Sequence, residues 1–188
     1  WPTDQGQWQA DNYIVTVSRL TKKNGLEYLI RAMKDVPNRS LKIIGGGELE
    51  SQLKSLTLNL GLKDRIEFVG SVDYKQVHSY LKDASVFVRP ALSEGLGNAF
   101  LEAIAAKVPV IATQVGGITD FLVEGKTGWF CEVKNPKSIA EKINYILDPR
   151  NISEVNYVIE NANRMVDKNY QWSTVAQKMK EIFQKLSR

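Results

Sequence analysis

The sequence predicts an α/β fold built on a doubly wound parallel sheet. Short apolar, β-branched runs recur along the chain, a stretch with helical spacing follows each, and the turns after the runs carry glycine, arginine or acidic residues. Parallel neighbours need a crossover and a helix supplies it, so this alternation specifies a parallel sheet covered on both faces.

The first strand is Tyr13–Ser18, ending at Arg19, and Leu26, Leu29, Ile30 and Met33 then recur at helical spacing after Gly25. Leu41–Ile44 is the second strand and Gly45-Gly46-Gly47 its turn; Leu49, Leu53, Leu56 and Leu60 mark a helix that Gly61 stops. Ile66–Val69 closes with Gly70. The next helix carries Val77, Leu81 and Ala84 on its apolar face, and Asp73 is placed to cap it. Val86–Val88 is a strand stopped by Pro90; a loop with Gly95 and Gly97 leads into a helix through Ala106. Val108–Ala112 does not alternate, as expected of a strand buried on both faces. Gly116-Gly117, Gly125 and Gly128 lead to a short strand at Trp129–Val133, and helices from Ser138, Ile152 and Ser173 complete the chain.

At 188 residues, 43% hydrophobic and 24% charged, the chain has the size and composition of one ordinary globular domain. No apolar run approaches the roughly 20 residues of a spanning helix. The single cysteine, Cys131, excludes an internal disulfide and fits a reducing compartment, so the expected location is cytoplasmic. Cys131 itself reads as an inert core residue, His78 as a surface histidine, and Trp129, Tyr170 and Trp172 as packing residues. The net charge is +4, and residues 164–188, with six Lys/Arg against two Asp/Glu, account for all of it. Without basic runs interleaved with aromatics, no nucleic-acid partner is expected. The basic tail reads as a solvated helix face, with a peripheral contact at the inner face of a membrane as the alternative.

Ligands of open α/β sheets bind outside the C-terminal strand ends, where loops and helix N-termini present unpaired N–H groups. The chemically unusual clusters fall there: Ser18-Arg19-Leu20, Gly45-Gly46-Gly47-Glu48, Gly70-Ser-Val72-Asp73 and Pro90–Asn98. In the last of these, Gly95 and Gly97 let the backbone pass close to a ligand, and the helix opening near Asn98 aims free N–H groups at it. Glu94 lies in the loop and Glu102 about one turn into the helix, so the two carboxylates can accept hydroxyls from opposite ends of one elongated polar ligand.

The run Ser93-Glu94-Gly95-Leu96-Gly97-Asn98-Ala-Phe-Leu-Glu102-Ala, with Pro90 ahead and Pro109-Val-Ile behind, resembles the E-x7-E signature of family 4 retaining glycosyltransferases. Val17-Ser18-Arg19-Leu20 with Gly25, Ile43-Ile44-Gly45-Gly46-Gly47-Glu48, Ile66–Gly70, Gly116-Gly117 and Gly125-Lys126-Thr127-Gly128 follow in the family's order, so the resemblance covers roughly residues 13–150. It implies a Rossmann-like domain forming one half of a GT-B fold, the C-terminal, donor-binding half. Residues 1–12 then read as an interdomain linker remnant, 13–170 as the nucleotide-sugar-binding domain and 171–188 as a C-terminal helix returning toward an N-terminal, acceptor-binding domain.

The resemblance also implies roles. Glu94 is the catalytic candidate, as a clamp on the donor sugar's hydroxyls in preference to a nucleophile. Gly46 and the backbone of Gly95, Leu96, Gly97 and Asn98 would hold sugar and phosphate; Glu102 would take the ribose, Val72 and Asp73 the base, and Arg19 the diphosphate, which a guanidinium can grip bidentately. One departure stands out: the family usually has lysine directly before the glycine matching Gly25, whereas Asn24 stands here behind Lys22-Lys23. The phosphate role passes to Lys23, or Asn24 donates a neutral hydrogen bond instead. The implied activity is transfer of a hexose from a UDP- or GDP-sugar to a glycan or lipid-linked acceptor with retention, with no metal or other cofactor. The chain alone is expected to bind its donor and transfer nothing. The alternatives are a nucleotide-sugar 2-epimerase of the same fold and a non-catalytic nucleotide-binding module.

Overall fold

The computed structural model describes Trp8 and residues 12–186. Among them six strands form one sheet: β1 (Tyr13–Val17), β2 (Leu41–Ile44), β3 (Ile66–Gly70), β4 (Ala84–Arg89), β5 (Val110–Thr113) and β6 (Trp129–Cys131). Their order is β3-β2-β1-β4-β5-β6 and every neighbouring pair is parallel, as in a Rossmann-like doubly wound sheet. The helices are α1 (Leu26–Ala32), α2 (Glu50–Asn59), α3 (Tyr74–Lys82), α4 (Asn98–Ala105), α5 (Pro136–Leu147), α6 (Ile152–Asn169) and α7 (Trp172–Leu186).

Side chains alternate across a strand, so each central strand feeds two cores. Ile14, Val86 and Val88 pack on one face with Leu26, Leu29 and Ile30 of α1 and Ile139 and Ile143 of α5. Val15 and Phe87 pack on the other with Leu81 of α3 and Phe100, Leu101 and Ile104 of α4. Helix α6 serves both: Val155, Val158 and Ile159 join the first core, Ala162 and Val166 the second. Each fully buried Leu or Ile contributes about 1.5–3 kcal/mol to this arrangement. Trp129 and Cys131 are buried in the first core, and Tyr170 packs half-buried against the second. Burial pushes the Cys131 thiol up to about 12, which makes it inert.

Several element boundaries differ from expectation. Helix α3 ends at Lys82, and Ala84, expected on its apolar face, instead opens β4 and pairs with Tyr13. Strand β5 starts at Val110, because Lys107 is left-handed (φ 57°) and the Val108 N–H donates back to the Ala103 carbonyl at 3.0 Å. Asn135, accepting from the Ser138 N–H at 3.2 Å, starts α5 at Pro136, a position where proline loses no helical hydrogen bond. His78, read as a surface histidine, is half-buried.

Of the segment read as a linker, only Trp8 and Asn12 are described; residues 1–7 and 9–11 lie outside the described residues. The Trp8 indole N–H donates to the Ser85 carbonyl at 2.8 Å, which pins it beneath the start of β4. The side chain of Trp172 also lies outside what is described. Among the described residues, no helix is long and apolar enough to cross a membrane.

Candidate functional site

The chain leaves β1 toward β2 and β3 on one side, and β4 then returns to the other side of β1. The loops after β1 and β4 therefore diverge, opening a crevice at the carboxyl edge where they part. Arg19 follows β1 and Glu94 follows β4, so the topology brings these two predicted residues to the same crevice although 75 positions separate them.

The two loops are stitched at their bases. The Leu92 N–H donates to the Lys23 carbonyl at 2.6 Å. Gly25 has φ +65°, and a Cβ there would stand 2.0 Å from the Pro90 carbonyl oxygen, so only glycine allows this approach. From the neighbouring strands, the Thr113 hydroxyl donates to the Ala91 carbonyl, and the Leu20 N–H donates to the Gly46 carbonyl at 3.0 Å. Gly46 thus joins the site as a backbone strut between the β1 and β2 loops.

Glu94 is held at both oxygens. One pairs with Arg89, the last residue of β4, and the other accepts the Gly95 N–H at 3.0 Å. Both side chains of the pair are only 9% exposed, so this ion pair lies out of water. The terminal nitrogen of Arg89 that reaches Glu94 also donates to the Asn24 Oδ1 at 3.0 Å. Asn24 is 1% exposed and donates in turn to the Arg19 carbonyl at 2.5 Å and the Thr21 hydroxyl at 3.3 Å. With its amide spent in this way, Asn24 does not face the crevice, and the expected alternative of a hydrogen bond from it to a phosphate is corrected. Burial draws the Arg89 pKa down, opposed by the Glu94 carboxylate and assisted by the neighbouring Arg19.

Arg19 and Lys23 are exposed, the first after β1 and the second in the 3-10 turn Lys22–Asn24. Leu96 and Asn98 are exposed and Gly97 half-buried. Gly97, left-handed at φ 67°, precedes α4 without any side-chain cap; the Phe100 N–H donates to its carbonyl at 2.9 Å, and no side chain caps the amides ahead of it. Glu102 lies half-buried one turn further on, and burial raises its pKa; the pKa of Tyr74 is raised by burial first and then by the Glu102 carboxylate, so the start of α3 stands near it. Val72 packs half-buried against the second core. Asp73 caps α3 as expected: it accepts the Gln76 N–H at 2.8 Å, while the Gln76 side chain accepts the Asp73 N–H at 3.2 Å. This commits one Asp73 oxygen to the helix.

Arg89 was not among the residues the sequence singled out. The available signal was a charged residue closing the apolar run Val86-Phe87-Val88, where an arginine buried between two covered faces needs a partner. Among the described residues, no group of three or more His, Cys, Asp or Glu side chains could hold a metal ion.

The family of group 1 glycosyl transferases matches residues 3–183. The chain belongs to this family. An uncharacterised glycosyltransferase of Methanocaldococcus jannaschii is 33% identical over 181 residues, 95% of this chain and 46% of that protein. A GDP-mannose-dependent alpha-(1-6)-phosphatidylinositol monomannoside mannosyltransferase of Mycolicibacterium smegmatis is 29% identical, over 90% of this chain and 47% of its own length. Among solved structures, the sucrose-phosphate synthase of Thermosynechococcus elongatus superimposes with a TM-score of 0.86 at 27% identity, covering 95% of this chain and 46% of that one. Anabaena HepE in complex with UDP-glucose gives the same TM-score at 21% identity, over 93% of this chain and 49% of that one, a likeness of fold. The group 1 chain thus spans about half the length of the relatives it matches, and its sheet is one Rossmann-like half of a GT-B fold.

Proposed function

We propose that this group 1 chain is the donor-binding half of a retaining, family 4 glycosyltransferase that moves a hexose from a UDP- or GDP-sugar to a glycan or lipid-linked acceptor. What supports the reading is the topology, which sets the loops bearing Arg19 and Glu94 side by side at the carboxyl edge, with the uncapped start of α4 lying between Glu94 and Glu102 along the chain. The sugar lies against Glu94, the ribose against Glu102 and the base toward Val72 and Asp73 at the start of α3. The diphosphate lies near Arg19 and Lys23.

The chemistry follows from the charges that must be stabilised. Cleaving the sugar–phosphate bond places negative charge on the leaving diphosphate, and prepositioned cations and N–H dipoles lower that barrier without reorganising. Arg19, Lys23 and the amides from Leu96 to Asn98 supply them, the Gly95 N–H being committed to Glu94, and the reading is metal-independent. Glu94, held at both oxygens, serves better as a fixed clamp on sugar hydroxyls than as a nucleophile, which must approach the anomeric carbon. Names among the relatives fit such donors: one is GDP-mannose-dependent, and HepE was solved with UDP-glucose.

The acceptor is assigned to a second, N-terminal half. Met179 and Ile182 of α7 stand 51% and 57% exposed, apolar surface that such a half would cover. The proposed location is the cytoplasm, with a peripheral contact at the inner face of the membrane through the basic C-terminal helices.

Thermal denaturation with UDP, GDP, UDP-glucose and GDP-mannose tests the donor site, because a ligand bound only by the native state adds about 2.7 kcal/mol of stability at one hundred times its Kd. The expected result is a higher Tm with one base series. No shift with any of the four would remove the donor-site reading.

A further inference from the structure

We propose that Arg89 is a positioning residue of the donor site: it fixes the orientation of the Glu94 carboxylate and, through Asn24, ties that orientation to the loop carrying Arg19. The inference rests on the donor-site reading and deepens it.

One terminal nitrogen of Arg89 carries two N–H groups, and they go to two loops: one to Glu94 after β4, the other to Asn24 after β1. Asn24 then donates to the main-chain carbonyl of Arg19 at 2.5 Å. A continuous chain of polar contacts therefore runs from the backbone of the phosphate-side arginine to the sugar-side carboxylate, crossing the switch point. The guanidinium also lies 5.4 Å from the centroid of the Phe100 ring, in the first turn of α4, which keeps it against the helix that bears Glu102.

Stability does not account for this arrangement. Arg89 is 8% exposed, and its Nε finds no acceptor among the described residues. A buried ion pair seldom stabilises more than apolar residues of the same volume, and an unsatisfied buried donor makes it worse. What the pair provides is a carboxylate with one fixed plane: each oxygen takes one donor, and the remaining lone pairs are left for sugar hydroxyls. A clamp already oriented loses less freedom when ligand arrives. Lysine is a poor replacement: its ammonium sits on a flexible stem and lacks the rigid guanidinium plane that rests against Phe100 and fixes where the donating nitrogen stands between the two loops. Position 24 must also stay neutral, because an ammonium there would face the guanidinium with little water between them.

Binding of UDP, GDP, UDP-glucose and GDP-mannose, measured by calorimetry on the protein, separates this role from its rivals. The quantity of interest is the sugar increment, the ratio of affinities for nucleotide sugar and bare nucleotide. Glu94→Gln should cut the increment by about tenfold, as loss of a charge-assisted hydrogen bond does. Arg89→Lys should cut it to the same level while leaving bare-nucleotide affinity within about twofold. The double variant should be no worse than Glu94→Gln alone, since one residue acts through the other. Asn24→Lys should lower the increment too, because its ammonium would face the guanidinium and displace it from Glu94.

Equal weakening of bare nucleotide and nucleotide sugar by Arg89→Lys would overturn the proposal, as would no change in either, or a wild-type protein without any sugar increment. If the wild type binds none of the four ligands, the donor-site reading itself fails, a distinct result. Should Arg89→Lys not fold, Asn24→Ser decides the matter: it spares the ion pair but frees the guanidinium from the β1 loop. A reduced increment supports the proposal, and an unchanged one overturns it.

Discussion

Gly116 packs against the main chain of Glu94 so closely that a Cβ on it would lie 1.9 Å from the Glu94 carbonyl oxygen. Its φ of +53° disfavours a side chain as well. The turn after β5 is thus a floor under the Glu94 loop, and the crevice has a third wall besides the β1 and β4 loops.

Gly116→Ala should therefore cost at least about 1–2 kcal/mol from the left-handed backbone alone. The clash must then be relieved by moving Glu94, so donor affinity should fall further than stability predicts. Urea denaturation and nucleotide-sugar calorimetry on the same variant check both halves. A variant as stable as wild type would show that the turn shifts freely.

Arg19→Ala should weaken nucleotide binding by about 1.5–3 kcal/mol, the worth of hydrogen bonds to a charged group. Because the side chain is exposed, the wild-type affinity should also fall with added salt, and this dependence should shrink in the variant. Titrations of UDP and GDP at two ionic strengths measure it.

Glu102 gives a pH signature. Burial raises its folded pKa above the ordinary 4.5, so the native state holds its proton more tightly than the unfolded chain does. Its contribution to stability is therefore fully present below 4.5 and is lost as pH rises through the folded pKa. Glu102→Gln should accordingly raise the Tm at pH 7, lose that advantage in acid, and weaken nucleotide binding by removing the ribose acceptor. Denaturation across the pH range would contradict this if the variant were less stable at neutral pH.

Asp73→Ala should destabilise by about 1 kcal/mol through loss of the α3 cap, whereas Asp73→Ser, which still caps, should not. Any difference between UDP and GDP binding that both variants share then reports on the base rather than on the helix. Chemical denaturation and paired titrations separate the two effects.

The chain alone should bind a nucleotide sugar yet transfer nothing, since acceptor positioning supplies much of the rate of a two-substrate reaction. A glycosyl acceptor assay on the 188-residue protein tests this, and turnover would refute the split between halves.

Local patterns were legible because they depend on near neighbours. Short apolar runs marked the strands and helical stripes the segments between them, Gly61 stopped α2, and Asp73 capped α3 as expected. Boundaries failed where a distant or backward contact decided them, as at Ala84, which pairs with Tyr13, and Val108, which is tied to Ala103.

The sequence by itself determined the class of the fold and the loops that meet at the carboxyl edge, because periodicity and spacing reflect contacts a few residues apart; the two glutamates stood out through the family resemblance. Only the tertiary structure decided that Asn24 is a buried strut, that Arg89 grips Glu94 and that Gly116 underlies it. Those relationships require β1, β4 and β5 to lie side by side, and strand order is settled by how whole elements pack, not by any local run of residues.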